Sequence, residues 1–270
     1  MPALSRSQLS DIIAAVGDAS LEEAASFRAF VETGTGLGQT IINMAEQFNE
    51  LHTIEIKQEF FEASCLVAPR AKAPIHFYHG PSEKVLPEIL MRLKGPTVFF
   101  LDAHWSGQDT GRGDVHVPLL LELRALNTLF HHRALVILDD FRLFAPGEGR
   151  EVCEVDWSPI SVEAVHSVLR PERIAHAVVV GDRYVVALRK VPLAGSASAS
   201  LSARYLDGGT GVRDSGRQVL DRNCPSGCWC EPFVSTPGSR LDAEGLAALA
   251  ARGEEYLDLA RRIRAMFPLG

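Results

Sequence analysis

The stretch Phe30-Val31-Glu32-Thr33-Gly34-Thr35-Gly36-Leu37-Gly38-Gln39-Thr40 decides how the chain is read. Ala29 to Glu32 has the apolar run of a short buried strand, a glycine loop follows, and Gln39 to Phe48 carries helical spacing. Glycines at 34, 36 and 38 let the backbone turn sharply and approach a ligand with no side chain in the way, next to the free N–H groups of a helix start. The following strand, Leu51 to Ile56, carries Glu55 near its end, seventeen positions after Gly38. A carboxylate there can accept both hydroxyl hydrogens of a ribose. Dinucleotide enzymes share this logic, but their fingerprint is Gly-x-Gly-x-x-Gly, and here the third glycine comes one position early. Glu32 would also repel a pyrophosphate while suiting a cationic amino-acid end.

Outward from this segment, strands and helices alternate. Gln58 to Ala68 reads as a helix, Ile75 to Tyr78 as a strand, and Ser82 to Leu93 as a helix ended by Lys94-Gly95-Pro96. Val98 to Leu101 is the fourth strand, Leu119 to Leu129 a helix, and Ala134 to Leu138 a strand apolar enough to be buried on both faces. Ser161 to Leu169 is a helix, and Ala175 to Val180 with Tyr184 to Leu188 form a hairpin across Gly181-Asp182-Arg183. Ser7 to Ala15 and Leu21 to Phe27, the latter with Ser20 as N-cap, make a helical preface. The expected fold is α/β: a Rossmann-like mixed, mostly parallel sheet with helices on both faces, plus a C-terminal linker and helix.

Residues 1–190 are expected to form one domain and residues 191–270 an extension. The extension opens with linker composition, including Gly-Ser-Ala-Ser-Ala-Ser at 195–200, and regains helical spacing over Leu241 to Phe267. Cys224, Cys228 and Cys230 cluster within it, and metal binding, a disulfide and plain packing all stand open for them. Its last helix could cover its own core or pair with a second copy of the chain.

Composition narrows the classes. With 46% apolar and 23% charged residues among 270, the chain is globular rather than disordered or fibrous. Its 27 basic against 34 acidic residues, net −7, argue against a nucleic-acid or acidic-membrane surface. No apolar run nears the roughly 20 residues of a bilayer span, and the expected location is the cytoplasm.

At the glycine segment the chain resembles the class I S-adenosylmethionine-dependent methyltransferases, whose first motif is an acidic residue followed by Gly-x-Gly-x-Gly. Over residues 28–190 the resemblance implies that Glu32, Gly34 and Gly36 line the methionine part, that Glu55 holds the ribose, and that Gly38 also belongs to the cofactor site. It places Gly80, Pro81 and Ser82 near the adenine.

A second constellation lies at the following strand ends: Asp102-Ala103-His104-Trp105 after the fourth strand and Asp139-Asp140 after the fifth. Three carboxylates meeting in a crevice oppose one another unless protonated or joined by a hard cation such as Mg²⁺. This looks like the divalent-cation-dependent sugar O-methyltransferases of the macrocin and novobiocin type. The resemblance implies that Asp102, Asp139 and Asp140 hold the ion, and that Asp102 also touches the methyl donor. His104 is the first candidate for a base, with Asp102 the alternative. That family generally carries further acidic residues where this chain has Ala103-His104-Trp105. Trp105, His116 and Arg142 are candidates to shape the acceptor pocket, and Ser106 to Asp114 to cover it. The implied activity is methyl transfer to a hydroxyl of a small molecule, a sugar or natural-product intermediate. A metal-independent methyltransferase acting on a peptide or nitrogen, a non-catalytic S-adenosylmethionine-binding module, and an NAD-dependent enzyme are the alternatives.

Overall fold

In a computed structural model, residues 3–17, 27–67, 73–105, 110–145, 155–191, 218–221 and 233–234 are described. The cysteine cluster, Cys153, the 195–200 run, the expected helix over Leu241 to Phe267, and all but Phe27 of that over Leu21 to Phe27 lie outside them.

Strands β1 (Ala29–Thr33), β2 (Glu50–Glu55), β3 (Ile75–His79), β4 (Thr97–Leu101) and β5 (Ala134–Leu138) run parallel in the order β3-β2-β1-β4-β5. The crossovers carry α2 (Gln39–Met44), α3 (Gln58–Val67), α4 (Ser82–Arg92) and α5 (Leu119–Leu129). α1 (Arg6–Val16) precedes the sheet, its start held by a capping box between Ser5 and Gln8. α6 (Val162–Val168) leads into the antiparallel pair β6 (Ile174–Val180) and β7 (Arg183–Leu188), with β7 on β5. The expected mixed sheet is observed, with its terminal hairpin.

The sheet also continues past residue 190. β8 (Gln218–Asp221) adds antiparallel to β3, and β9 (Phe233–Val234) adds to β8, giving nine strands among the described residues. No strand was expected in this region. Four residues and two residues are too short for a period to register, while the free edge of β3 offers a row of backbone donors and acceptors.

Alternation along the strands divides the core in two. Val31, Phe99, Leu101, Val136 and Leu138 face α4, α5 and α6, packing on Leu86, Ile89, Leu123, Leu126 and Val165. Phe30, Val98, Phe100, Leu135 and Ile137 face the other way, onto Leu9 and Ile12 of α1, Ile41 and Met44 of α2, and Phe61 of α3. α2 stops at Met44, short of the expected Phe48. There the bonds tighten to Ala45 N–H on Ile42 O and Gln47 N–H on Met44 O, and Asn49 N–H already binds Arg28 O to launch β2.

What positions the site is the reversal of strand order at β1 and β4, where successive crossovers leave toward opposite edges and open a crevice at the strand C-termini. Backbone bonds continue the ladder past the strand ends: Gly80 N–H to Glu55 O, Gly34 N–H to Ile54 O, Asp102 N–H to Thr33 O, and Asp139 N–H to Leu101 O. Gly80, Glu55, Gly34, Asp102 and Asp139 therefore stand in one row along the crevice. No helix among the described residues is long and apolar enough to cross a membrane.

Candidate functional site

A cavity of about 380 Å³ opens along that row. Its size falls within the range of small-molecule sites. Gly34, Gly36, Glu55, Gly80, Pro81, Ser82, Asp102, His104 and Asp140 line it, together with Trp105, His116 and Arg142. Glu32, Gly38 and Asp139 do not.

The glycine loop shows why two of its positions carry no side chain. Gly34 has φ +81°, and a Cβ there would sit 2.6 Å from the carbonyl oxygen of Asp102, so the loop lies against the end of β4. Gly36, at φ +51°, faces open space, and a Cβ at this position would meet nothing within 4 Å. Its bare backbone forms part of the cavity wall. Gly38 caps α2 away from the cavity, against Ser64.

Glu55 is buried, and its two oxygens accept from the Gly36 and Lys57 backbone N–H groups at 2.8 Å each. Burial raises its pKa, against the lowering effect of those amides. The carboxylate thus ties the glycine loop to the end of β2 while facing the cavity. Glu32 lies one layer below, 1% exposed, accepting from Thr53 Oγ1 at 2.7 Å. Desolvation pushes it up to about 8.

At the other side of the row, His104 stands between two carboxylates, with Nε2 3.0 Å from Asp140 Oδ2 and Nδ1 3.6 Å from Asp102 Oδ1. One donor atom from each of Asp102, His104 and Asp140 lies within 4.8 Å of the others. Asp102 is raised well above the ordinary carboxyl range by burial first, then by the negative charges of Asp139, Asp140 and Glu32. Asp140 adopts a left-handed backbone, φ 58°, which Asp tolerates better than most residues. Its other oxygen takes Arg142 Nη1 at 2.5 Å, and Arg142 in turn is paired with Asp182 of the β6–β7 turn. Burial acts to raise Asp140, but the hydrogen bond and charge of His104, with those of Arg142, outweigh it and leave the pKa low.

The two members of the Asp139-Asp140 pair part company. Asp139 turns to Arg183 Nε at 3.2 Å. Among the described residues, the donor atoms that lie within 4.8 Å of one another are those of Asp102, His104 and Asp140, while Asp139 acts on Asp102 through its charge. Asp140 has the left-handed backbone of the two, and Arg183 reaches Asp139 from the terminal hairpin.

Trp105 packs on His116 at 5.2 Å between centroids, with the Arg112 guanidinium 4.7 Å from the Trp105 ring. Ile56, Phe60 and Val115 also line the cavity and were not singled out in the sequence. Ile56 and Phe60 follow Glu55 within five residues, so their place in the chain was the available signal.

No family model and no curated protein matches the chain. Solved structures do resemble it. An O-methyltransferase involved in tomaymycin synthesis from Streptomyces achromogenes, in complex with SAM, is 21% identical over 64% of this chain and 77% of its own, with a TM-score of 0.46. An O-methyltransferase from Bacillus cereus, in complex with SAH, is 16% identical over 69% and 82%, TM-score 0.48. An rRNA methylase from Streptococcus thermophilus is 11% identical over 71% and 99%, TM-score 0.42. At these values the likeness carries no weight for chemistry, which rests on the side chains described above.

Proposed function

We propose that the chain is an S-adenosylmethionine-dependent methyltransferase that methylates a hydroxyl of a small molecule with the help of a divalent cation. The observation that carries this reading is the single row of strand ends, which brings the glycine loop, Glu55 and the Asp102–His104–Asp140 group into one cavity.

The residues fit the donor. Glu55 is placed to accept ribose hydroxyls, the bare wall at Gly36 leaves room for the amino-acid end, and Gly80, Pro81 and Ser82 border the space beside Ile56 for the adenine. A bound sulfonium or ammonium would favour the ionised forms of Asp102, which lines the cavity, and of Glu32 behind Thr53, both of which burial otherwise pushes toward the protonated acid.

The donor set also fits a divalent cation: Asp102 and Asp140 would hold it, and Asp139 joins only if Arg183 releases it. When bound, such an ion supplies charge that lowers the pKa of an acceptor hydroxyl. The remaining work falls to the chain. Its strand-end loops orient donor and acceptor for in-line displacement, Trp105 and His116 exclude water, and His104, or Asp102 in its place, takes the acceptor's proton.

The His104–Asp140 hydrogen bond, with Arg142 on the far oxygen of Asp140, also favours a second reading in which His104 is a base without metal. Chelation separates the two: activity that survives removal of divalent ions belongs to the second.

Calorimetric titration of S-adenosylmethionine and NAD, with and without Mg²⁺, tests the reading. Micromolar binding of S-adenosylmethionine alone, lost in Glu55→Ala, is the expected result, followed by turnover on hydroxylated acceptors. Binding of NAD instead, or of neither, refutes it. Binding without turnover on any acceptor leaves a sensing module.

A further inference from the structure

His52 and His76 interrupt the apolar pattern of two adjacent strands. They are partners in the parallel register of β2 and β3, so both rings stand on one face of the sheet, stacked with centroids 4.8 Å apart. Glu50, two residues before His52, is on the same face, and its Oε1 lies 3.0 Å from His52 Nε2. One donor atom from each of Glu50, His52 and His76 lies within 4.8 Å of the others. The remaining ring nitrogen of His52, Nδ1, is 3.0 Å from the Tyr78 hydroxyl.

This is the construction of a metal-binding imidazole. Buried His52 is fixed by a hydroxyl on one nitrogen, so that the other points at a carboxylate, and metal-ligating histidines are oriented through their second nitrogen in this way. The Glu50 side chain is 46% exposed, which gives an ion a path from solvent. Two imidazoles and a carboxylate suit Zn²⁺ rather than Mg²⁺ or Ca²⁺.

We propose that Glu50, His52 and His76 form a Zn²⁺ site at the N-terminal end of β2 and β3. It is separate from the cavity, since Glu50 and Glu55 stand five positions apart on one strand, roughly 16 Å at about 3.3 Å per residue. It lies where the sheet is extended from outside the parallel core: β8 pairs with β3, with Asp221 opposite His76. An ion here fastens the β2–β3 edge at the point where the later part of the chain joins it.

The test is Zn²⁺ calorimetry on the full chain after chelator treatment, in an Asp102→Asn, Asp140→Asn background that silences the other candidate group. Visible absorption of bound Co²⁺ reports the coordination independently. One equivalent is expected to bind, with affinity at least about tenfold weaker in Glu50→Gln and in His76→Gln. Glu50 is exposed enough that its variant folds, and circular dichroism checks both. Weakening in these two variants supports the site whatever Cys224→Ser, Cys228→Ser, Cys230→Ser does. Absence of Zn²⁺ binding, unchanged affinity in both variants, or loss confined to the triple serine variant would overturn it.

Discussion

Glu122, in the first turn of α5, is 1% exposed, and no hydrogen bond of normal geometry reaches either of its oxygens among the described residues. Burial lifts its pKa to about 7, with the hydroxyls of Ser82 and Thr33 pulling the other way. Between about pH 4.5 and about 7 the folded chain therefore holds this proton more tightly than the unfolded chain does, and stability falls as pH rises through that window. At ~1.4 kcal/mol per pKa unit, ionisation at this position removes roughly 3 kcal/mol by pH 8. Glu122→Gln keeps the shape of the protonated acid and cannot ionise. Urea denaturation of both proteins at pH 5, 6, 7 and 8 should give matching stabilities at pH 5 and a variant more stable by about 2–3 kcal/mol at pH 8. Glu32 and the other buried acids are common to both proteins and cancel in the difference. A stability difference that does not change with pH would refute the reasoning.

Three further outcomes are expected. Gly34→Ala forces a Cβ against the Asp102 carbonyl at positive φ, so denaturation should show a loss of about 1–3 kcal/mol and calorimetry at least about tenfold weaker S-adenosylmethionine binding; wild-type behaviour in both would contradict the packing. Asp140→Asn retains a residue type that accepts the left-handed backbone, so circular dichroism should be unchanged while Mg²⁺ or Mn²⁺ affinity drops about tenfold or more; undiminished metal binding would remove Asp140 from the cation site. Arg183→Met leaves Asp139 buried without its cation and should cost about 3 kcal/mol at pH 7, shrinking toward acid pH as Asp139 protonates. A penalty independent of pH would show that Arg183 acts through packing instead.

The parallel core was legible in the sequence because each strand and helix carries its own period and its own punctuation. Glu55 was legible for the same reason, since a strand end fixes where its side chain stands. The division of labour at Asp139 and Asp140 was not. It depends on one left-handed residue and on Arg183, delivered by a hairpin more than forty positions later. Glu122 reads in sequence as an ordinary acid in a helix's first turn, and only the packing of α5 over Thr33 and Ser82 makes it buried. His52 and His76 were hidden similarly, because their pairing is a fact of strand register and not of spacing.

Asp182, in the turn of the last hairpin, grips Arg142; Arg142 grips Asp140; Asp140 grips His104. A turn between the last two strands is thereby joined, through one guanidinium, to a carboxylate that lines the cavity. A change in that turn would reach the cavity through Arg142 and Asp140, on the far side of the row from Gly80 and Glu55. One continuous sheet thus ties its parallel strand ends to its antiparallel edge by a short relay of ion pairs.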